Sequence, residues 1–317
     1  MTVILNDPGC TAIGGNTGTP GCAFNPSQIV GMILIPKEKT FTNVQLGSAF
    51  IATLQALVNV GEATRVYPVF KFEGVEDKTE DPTKKNTGYG VPRYTKRGKY
   101  NWMFEMSQGG HCHHTKLMAF NNDTSKKAIF ITADNIVLMA KYGVDGAKGM
   151  SLDIIKAHDF KINNGTDPAK FVLEIGLSRA EEMNEDLLYF DAGADIEDSV
   201  KGLLDVELYD LGAGSATKKQ VIGIRTDCDK KVSLYDAFSA IFVSSFASIF
   251  SATLAGAASN PTACVAKPLV KGWELEFPAT GVHILTLASP AALAVLHIGE
   301  PPENGFEALG TLSLTVA

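Results

Sequence analysis

The chain has 317 residues, 45% hydrophobic and 20% charged, with 28 basic and 35 acidic side chains and a formal charge of −7. That length points to two domains, and the composition is that of an ordinary globular protein. A pI near 5.4 excludes a general nucleic-acid binder, which needs a dominant basic face.

Residues 1–27 are rich in Gly, Pro, Asn and Thr and are expected to form an extended arm. MTVILNDPGC lacks the basic and long apolar regions of a signal peptide, so none is expected. Cys10 and Cys22 bracket GCTAIGGNTGTPGC and could close a loop. However, the five cysteines (Cys10, Cys22, Cys112, Cys228, Cys264) form no CxxC pair, and the odd count fits reduced thiols made in a cytosol. Residues 29–35 (IVGMILI) read as a strand ended by Pro36. In SAFIATLQALVNVG, Ser48 suits an N-cap, Phe50, Ile51, Leu54, Leu57 and Val58 form a helical stripe, and Gly61 stops it.

Strand patterns follow at 65–72 and 100–106, separated by EDKTEDPTKKNTGYGVPRYTKRGKY (76–100). A structureless insert of about 25 residues is uncommon inside a compact domain and is usually functional. Its segment 84–99 carries six cations (Lys84, Lys85, Arg93, Lys96, Arg97, Lys99) and no acid, which leaves the rest of the −7 chain at −13. Tyr89 and Tyr94 interleave with these cations, and Tyr and Arg are enriched at protein interfaces. Further strands are expected at 115–120, 128–133, 136–141, 150–157 and 170–177, parted by turn residues such as Asn121–Asp123 and NNGTDP. Many short strands at this spacing favour an antiparallel sandwich or barrel.

Ser178-Arg179-Ala180-Glu181 fits a capping box, so EEMNEDLLYF reads as a short helix. From 181 to 210 eleven acids face one lysine. Glu181, Glu182, Glu185, Asp186, Asp195, Glu197 and Asp198 are the expected electrostatic complement of the basic arm. A boundary near Lys201-Gly202 opens a second strand series at 203–209, 219–226, 271–277, 282–288 and 311–316. One helix is expected at 233–254. The uncharged stretch 237–266 is long enough to span a membrane. Its Phe238, Ile241, Phe242, Ile249, Phe250 and Leu254 recur at helical spacing, which favours a helix on a core, and no membrane partner is expected. The fold class is therefore mainly β with minor α: residues 1–201 form a sandwich or barrel with one helix, and 202–317 an immunoglobulin-like sandwich.

Chemistry is poorly supported. His111-Cys112-His113-His114 offers zinc-type ligands. As a strand it would send His111 and His113 to one face and Cys112 and His114 to the other, too few for one copy, although a ring of subunits could pool them. There is no GxSxG elbow, GVDGAKG lacks phosphate-loop spacing, and the carboxylate pairs lie in polar surroundings. No catalytic, cofactor-binding or metal-binding residue is expected, and no enzyme.

The opening LNDPGCTAIGG…FNPSQIVGMILIPK, the loop 76–99, and the strands around YNWMFEM and HHTKLMAF resemble the tail tube proteins of tailed phages, here with an added immunoglobulin-like domain. The resemblance covers the architecture of residues 1–200. It implies a structural virion protein, assembled in the host cytoplasm into hexameric rings that stack as the tail tube. The loop and arm would bridge copies, and DNA would pass without specific binding. Its implied partners are itself and other tail or neck proteins. A capsid shell protein carries a similar arm and basic hairpin but needs a long spine helix, and only a medium one is expected at 48–60. A connector ring, a metal-dependent enzyme built on the histidines, and a secreted adhesin are the other readings.

Overall fold

The computed structural model describes residues 27–85, 93–107, 110–166, 168–228, 231–296 and 305–317, with backbone alone at 93–96. The chain is mainly β with few helices. It divides into two compact units, one holding the described residues up to Leu57 and Gly61–Val200, the other Val58–Val60 and Lys201–Ala317.

The first unit contains β1 (Ile29–Pro36), β2 (Thr40–Thr42), α1 (Phe50–Val58), β3 (Tyr67–Phe70), β4 (Gly74–Asp77), β5 (Thr83–Lys85), β6 (Arg93–Lys96) and β7 (Asn101–Met106). It continues through α2 (Gly110–Met118), β8 (Lys126–Thr132), β9 (Ile136–Tyr142), β10 (Gly146–Lys148), β11 (Met150–Ala157), β12 (Phe171–Leu177), α3 (Glu181–Asn184), β13 (Leu187–Asp191) and α4 (Ile196–Ser199). Eleven strands make one antiparallel sheet in the order β2-β10-β9-β8-β11-β12-β7-β4, with β1 on β3 and β8, and β13 on β9. β1 pairs β8 from Ile29↔Thr132 to Pro36↔Lys126 and so takes one whole edge of it. β9 and β11 share the other edge, β9 at 130–131 and β11 at 127–128, and there the sheet curls.

The curl explains why IVGMILI is unbroken by polar residues. A strand covered on both faces reads as a continuous apolar run. Met32 and Leu34 join Phe104, Phe130, Leu138 and Leu173 in the interior cluster. Ile33 and Ile35 are equally buried but face the other way, with Ile129 and Ile131. α1 covers that second face: Phe50 meets Phe41 and Phe190 edge-on at 5.6 and 5.1 Å. Phe50, Leu54 and Val58 are buried, each contributing about 1.5–3 kcal/mol by leaving water.

Two local expectations fail here. Residues 115–120 belong to α2 and the turn after it, because His114 and Leu117, one helical turn apart, are the buried pair. The helix expected over 181–190 stops at Asn184, and Leu187–Asp191 instead form β13. Ser178 caps nothing: its hydroxyl donates to the Ser151 carbonyl at 3.2 Å. Leu188 and Phe190 alternate into the core while β13 completes the free edge of β9, and this pairing overrides the local helix signal.

The second unit contains β14 (Leu204–Ala213), β15 (Lys219–Thr226), α5 (Tyr235–Ser244), α6 (Phe246–Ile249), β16 (Phe250–Leu254), β17 (Ala257–Ala258) and β18 (Ala263–Lys267). It ends with β19 (Gly272–Glu276), β20 (Gly281–Leu287), α7 (Pro290–Val295), β21 (Phe306–Ala308) and β22 (Leu312–Val316). Two sheets, β18-β19-β15-β14-β21 and β17-β16-β20-β22, enclose one core around Trp273, Phe242, Phe250 and Leu285. The single helix expected over 233–254 is three pieces. α5 ends at Ser244 and α6 at Ile249, and β16 pairs β20 from Phe250↔Leu287 to Leu254↔His283. Phe250 and Ala252 are buried while Ser251 and Thr253 are exposed, a period of two that suits a strand. Among the described residues no helix is long and apolar enough to cross a membrane.

Candidate functional site

The segment 76–100 is β structure over half of its described length. β4 pairs β7, and the ladder continues past it through Lys78 N–H to the Asn101 carbonyl at 2.8 Å and Glu80 N–H to the Lys99 carbonyl at 3.0 Å. Beyond this stem β5 and β6 form a sheet of their own, with Thr83↔Lys96, Lys84↔Tyr94 and Lys85↔Arg93 in register and a bulge between Thr83 and Lys84. All three β5 residues are exposed. An isolated two-stranded hairpin is at best marginally stable in water, so this one gains from a further surface to lie on.

Gly98 lets the stem close. A Cβ placed there would stand 1.6 Å from the Glu80 carbonyl oxygen, so no other side chain fits without moving the backbone. Gly98→Ala is therefore expected to release the hairpin. Amides 78–85 should lose protection in hydrogen exchange by at least about tenfold while the β8–β9 amides keep theirs.

The cations divide into two groups. Arg97 is paired with Glu185 and Lys99 with Asp153, both on the same chain. The bond to Glu185 and its charge hold Arg97 above its usual range, and Asp153 does the same for Lys99. All four side chains are solvent-accessible and both pairs are screened by salt. Tyr100 donates to Asn184 Oδ1 at 2.7 Å. Between these contacts lies a cleft of about 720 Å³ lined by Asp77, Thr79, Glu80, Asp81, Arg97 and Tyr100. Lys84 and Lys85 lie farther out, on β5. Arg93, Tyr94 and Lys96 are placed only as strand positions of β6, and Tyr89 lies outside the described residues.

The acidic belt divides too. Glu182 is buried and cannot meet another molecule. Its carboxylate accepts the Ser151 N–H at 2.6 Å and the Ser151 hydroxyl at 3.0 Å, and lies 2.9 Å from Lys148 Nζ, fastening α3 to the sheet. Asp195 caps α4 by accepting the Asp198 N–H at 3.2 Å. The Asp186 carbonyl holds the Lys141 N–H at 2.8 Å. Glu181, Glu185, Asp186, Asp195 and Asp198 are exposed, and Glu197 is half-buried. A run of acids in a sequence does not distinguish an inward carboxylate from an outward one, and Glu182 was misplaced for that reason.

The same construction recurs in the second unit with no sequence signal beyond WELE. Buried Glu274 accepts the Ser215 N–H at 2.6 Å and hydroxyl at 3.0 Å, and lies 3.1 Å from Lys267 Nζ. Near the start of β8, Lys127 is partly buried, and its pKa is lowered by that burial and by neighbouring Lys148.

The histidine run lies on α2, not on a strand. His111 and His114 therefore share a face, with ring centres 6.0 Å apart, and Cys112 is in a disulfide. Among the described residues no three His, Cys, Asp or Glu side chains come together in an arrangement that could hold a metal ion. Cys228 is also disulfide-bonded, so the expectation of reduced thiols is corrected at both positions. Cys264 is a free thiol, pushed up to about 12 by burial and hence inert. Cys10 and Cys22 lie outside the described residues. No protein-family model matches the chain, and no curated protein matches it significantly.

Proposed function

We propose that the chain is a structural protein that assembles with copies of itself into stacked rings, a virion tail tube through which DNA passes. The observation that carries this reading is the β5–β6 hairpin. It is rich in lysine, exposed along β5, and paired with no other strand among the described residues. A two-stranded ribbon of that kind is stabilised by lying on a neighbour, and an acidic neighbour of the same sequence suits it. The internal Arg97–Glu185 and Lys99–Asp153 pairs fix the base of the hairpin, and Lys84 and Lys85 lie farther out on β5.

Ring contacts of this type are heterologous, so one surface must complement a different one. Exposed ion pairs add little, and affinity must come from strand pairing and apolar contact repeated around the ring. The disulfide bonding of Cys112 and Cys228 suits a particle that leaves the reducing cytosol after assembly. Sedimentation velocity of the purified protein tests the proposal. Discrete rings or larger stacks are expected at low salt, with the smaller species gaining as salt rises. A single monomer peak at every concentration and salt would overturn it.

A further inference from the structure

α2 is fastened to the sheet by imidazoles. His114 is buried, and its Nε2 lies 2.8 Å from the His158 carbonyl oxygen. A carbonyl only accepts, so Nε2 carries a hydrogen. That Nδ1 is buried with no hydrogen-bond partner among the described residues. Around the ring stand Phe171 at 5.0 Å, Phe160 at 5.8 Å and His111 at 6.0 Å, a setting with nothing to accept a second N–H. His113, half-buried on the same helix, lies 6.3 Å from Phe171.

Besides His113 and His114, the ionisable groups on α2 and on the segments packed against it are His111, Lys116, Asp153, Lys156, His158, Asp159, Lys161, Lys170 and Glu174, and Asp153 is already paired with Lys99. Glu174 is already held by Asn101 and by His158, and Lys170 by Glu105. No carboxylate is bonded to His113 or His114 among the described residues, so a proton added to either finds no counter-charge in contact.

We propose that α2 is an acid-released latch: protonation of the half-buried His113 detaches it from β11 and β12 and uncovers the rings of Phe160 and Phe171. Burial first, and Lys116 second, hold the His113 pKa below its ordinary 6.5, so the undocked helix takes up the proton before the docked one. Docking is therefore at full strength above about pH 6.5 and weakens as the pH falls through that value towards the lowered pKa. His283 offers a contrast in the second unit. It too is buried, with Nε2 on the Ala279 carbonyl at 3.0 Å and an Nδ1 without a hydrogen-bond partner among the described residues, but it lies in β20 between β16 and β22 and has no element to release.

Hydrogen exchange of the full chain, corrected for intrinsic rate, tests the latch between about pH 7.5 and about pH 5. Protection of residues 110–118 should fall at least tenfold while β8 and β9 keep theirs. In His113→Asn/His114→Gln that fall should vanish, and in His158→Gln, which removes the pair with Glu174, it should persist. Unchanged protection of wild-type α2 at the acidic pH would overturn the proposal even if the double variant failed to fold. So would an equal fall in the double variant, or a fall that includes β8 and β9.

Discussion

Replacing residues 83–96 by two glycines is expected to abolish the proposed self-assembly and to leave a folded protein. The stem explains why the fold survives. Glu80 N–H already reaches the Lys99 carbonyl at 3.0 Å, so the cut falls where the two chains run side by side. β5 and β6 bond only to each other among the described strands, and removing them opens no edge of the eleven-stranded sheet. Arg97–Glu185 and Lys99–Asp153 remain in place. The melting temperature should move by no more than a few degrees, as expected where little buried surface is lost. Light scattering coupled to size exclusion should report a monomer for this variant, against the rings expected of the wild type. A deletion variant that still forms rings would remove the hairpin from the interface.

Trp273→Ala strikes the core of the second unit. Trp273 is fully buried between Phe242 at 4.8 Å and Tyr235 at 5.2 Å, and its indole N–H donates to the Ser239 carbonyl at 3.3 Å. Truncation removes the contact that holds α5 to β19 and opens a large cavity, at a cost of about 3–5 kcal/mol. For a unit of this size that lowers its melting temperature by roughly 10–20 °C. The chain has two tryptophans, and Trp102 lies in the first unit, so its fluorescence reports whether that unit still melts at the wild-type temperature. A shift below about 1 kcal/mol would mean that α5 does not close the core as described.

The regular strands were legible because their side chains alternate or because they carry long apolar runs. IVGMILI, MSLDIIKA and KQVIGIRT all form strands close to the expected bounds. Elements fixed by a distant partner were not legible. EEMNEDLLYF has good helix formers, yet Leu187–Asp191 becomes a strand because β9 offers it a free edge. The helix stripe through FVSSFASIF breaks at Ser244 because β20 captures Phe250–Leu254. HHTKLM was read as alternating, whereas its buried positions, His114 and Leu117, are a helical turn apart.

At the candidate site the charge asymmetry was visible and its internal wiring was not. Six cations in 84–99 stand out by composition. That Arg97 and Lys99 find carboxylates on their own chain depends on how α3 and β11 lie beside the stem. Glu182 is likewise inward only because Ser151 and Lys148 are waiting for it. The disulfides were missed because spacing alone does not reveal which cysteines meet in space.

Negative-stain microscopy of the purified full-length protein at low salt tests self-assembly most directly. Rings of uniform diameter, stacking into hollow tubes as concentration rises, are the predicted result. Isolated particles the size of one chain, unchanged at high concentration, would contradict it.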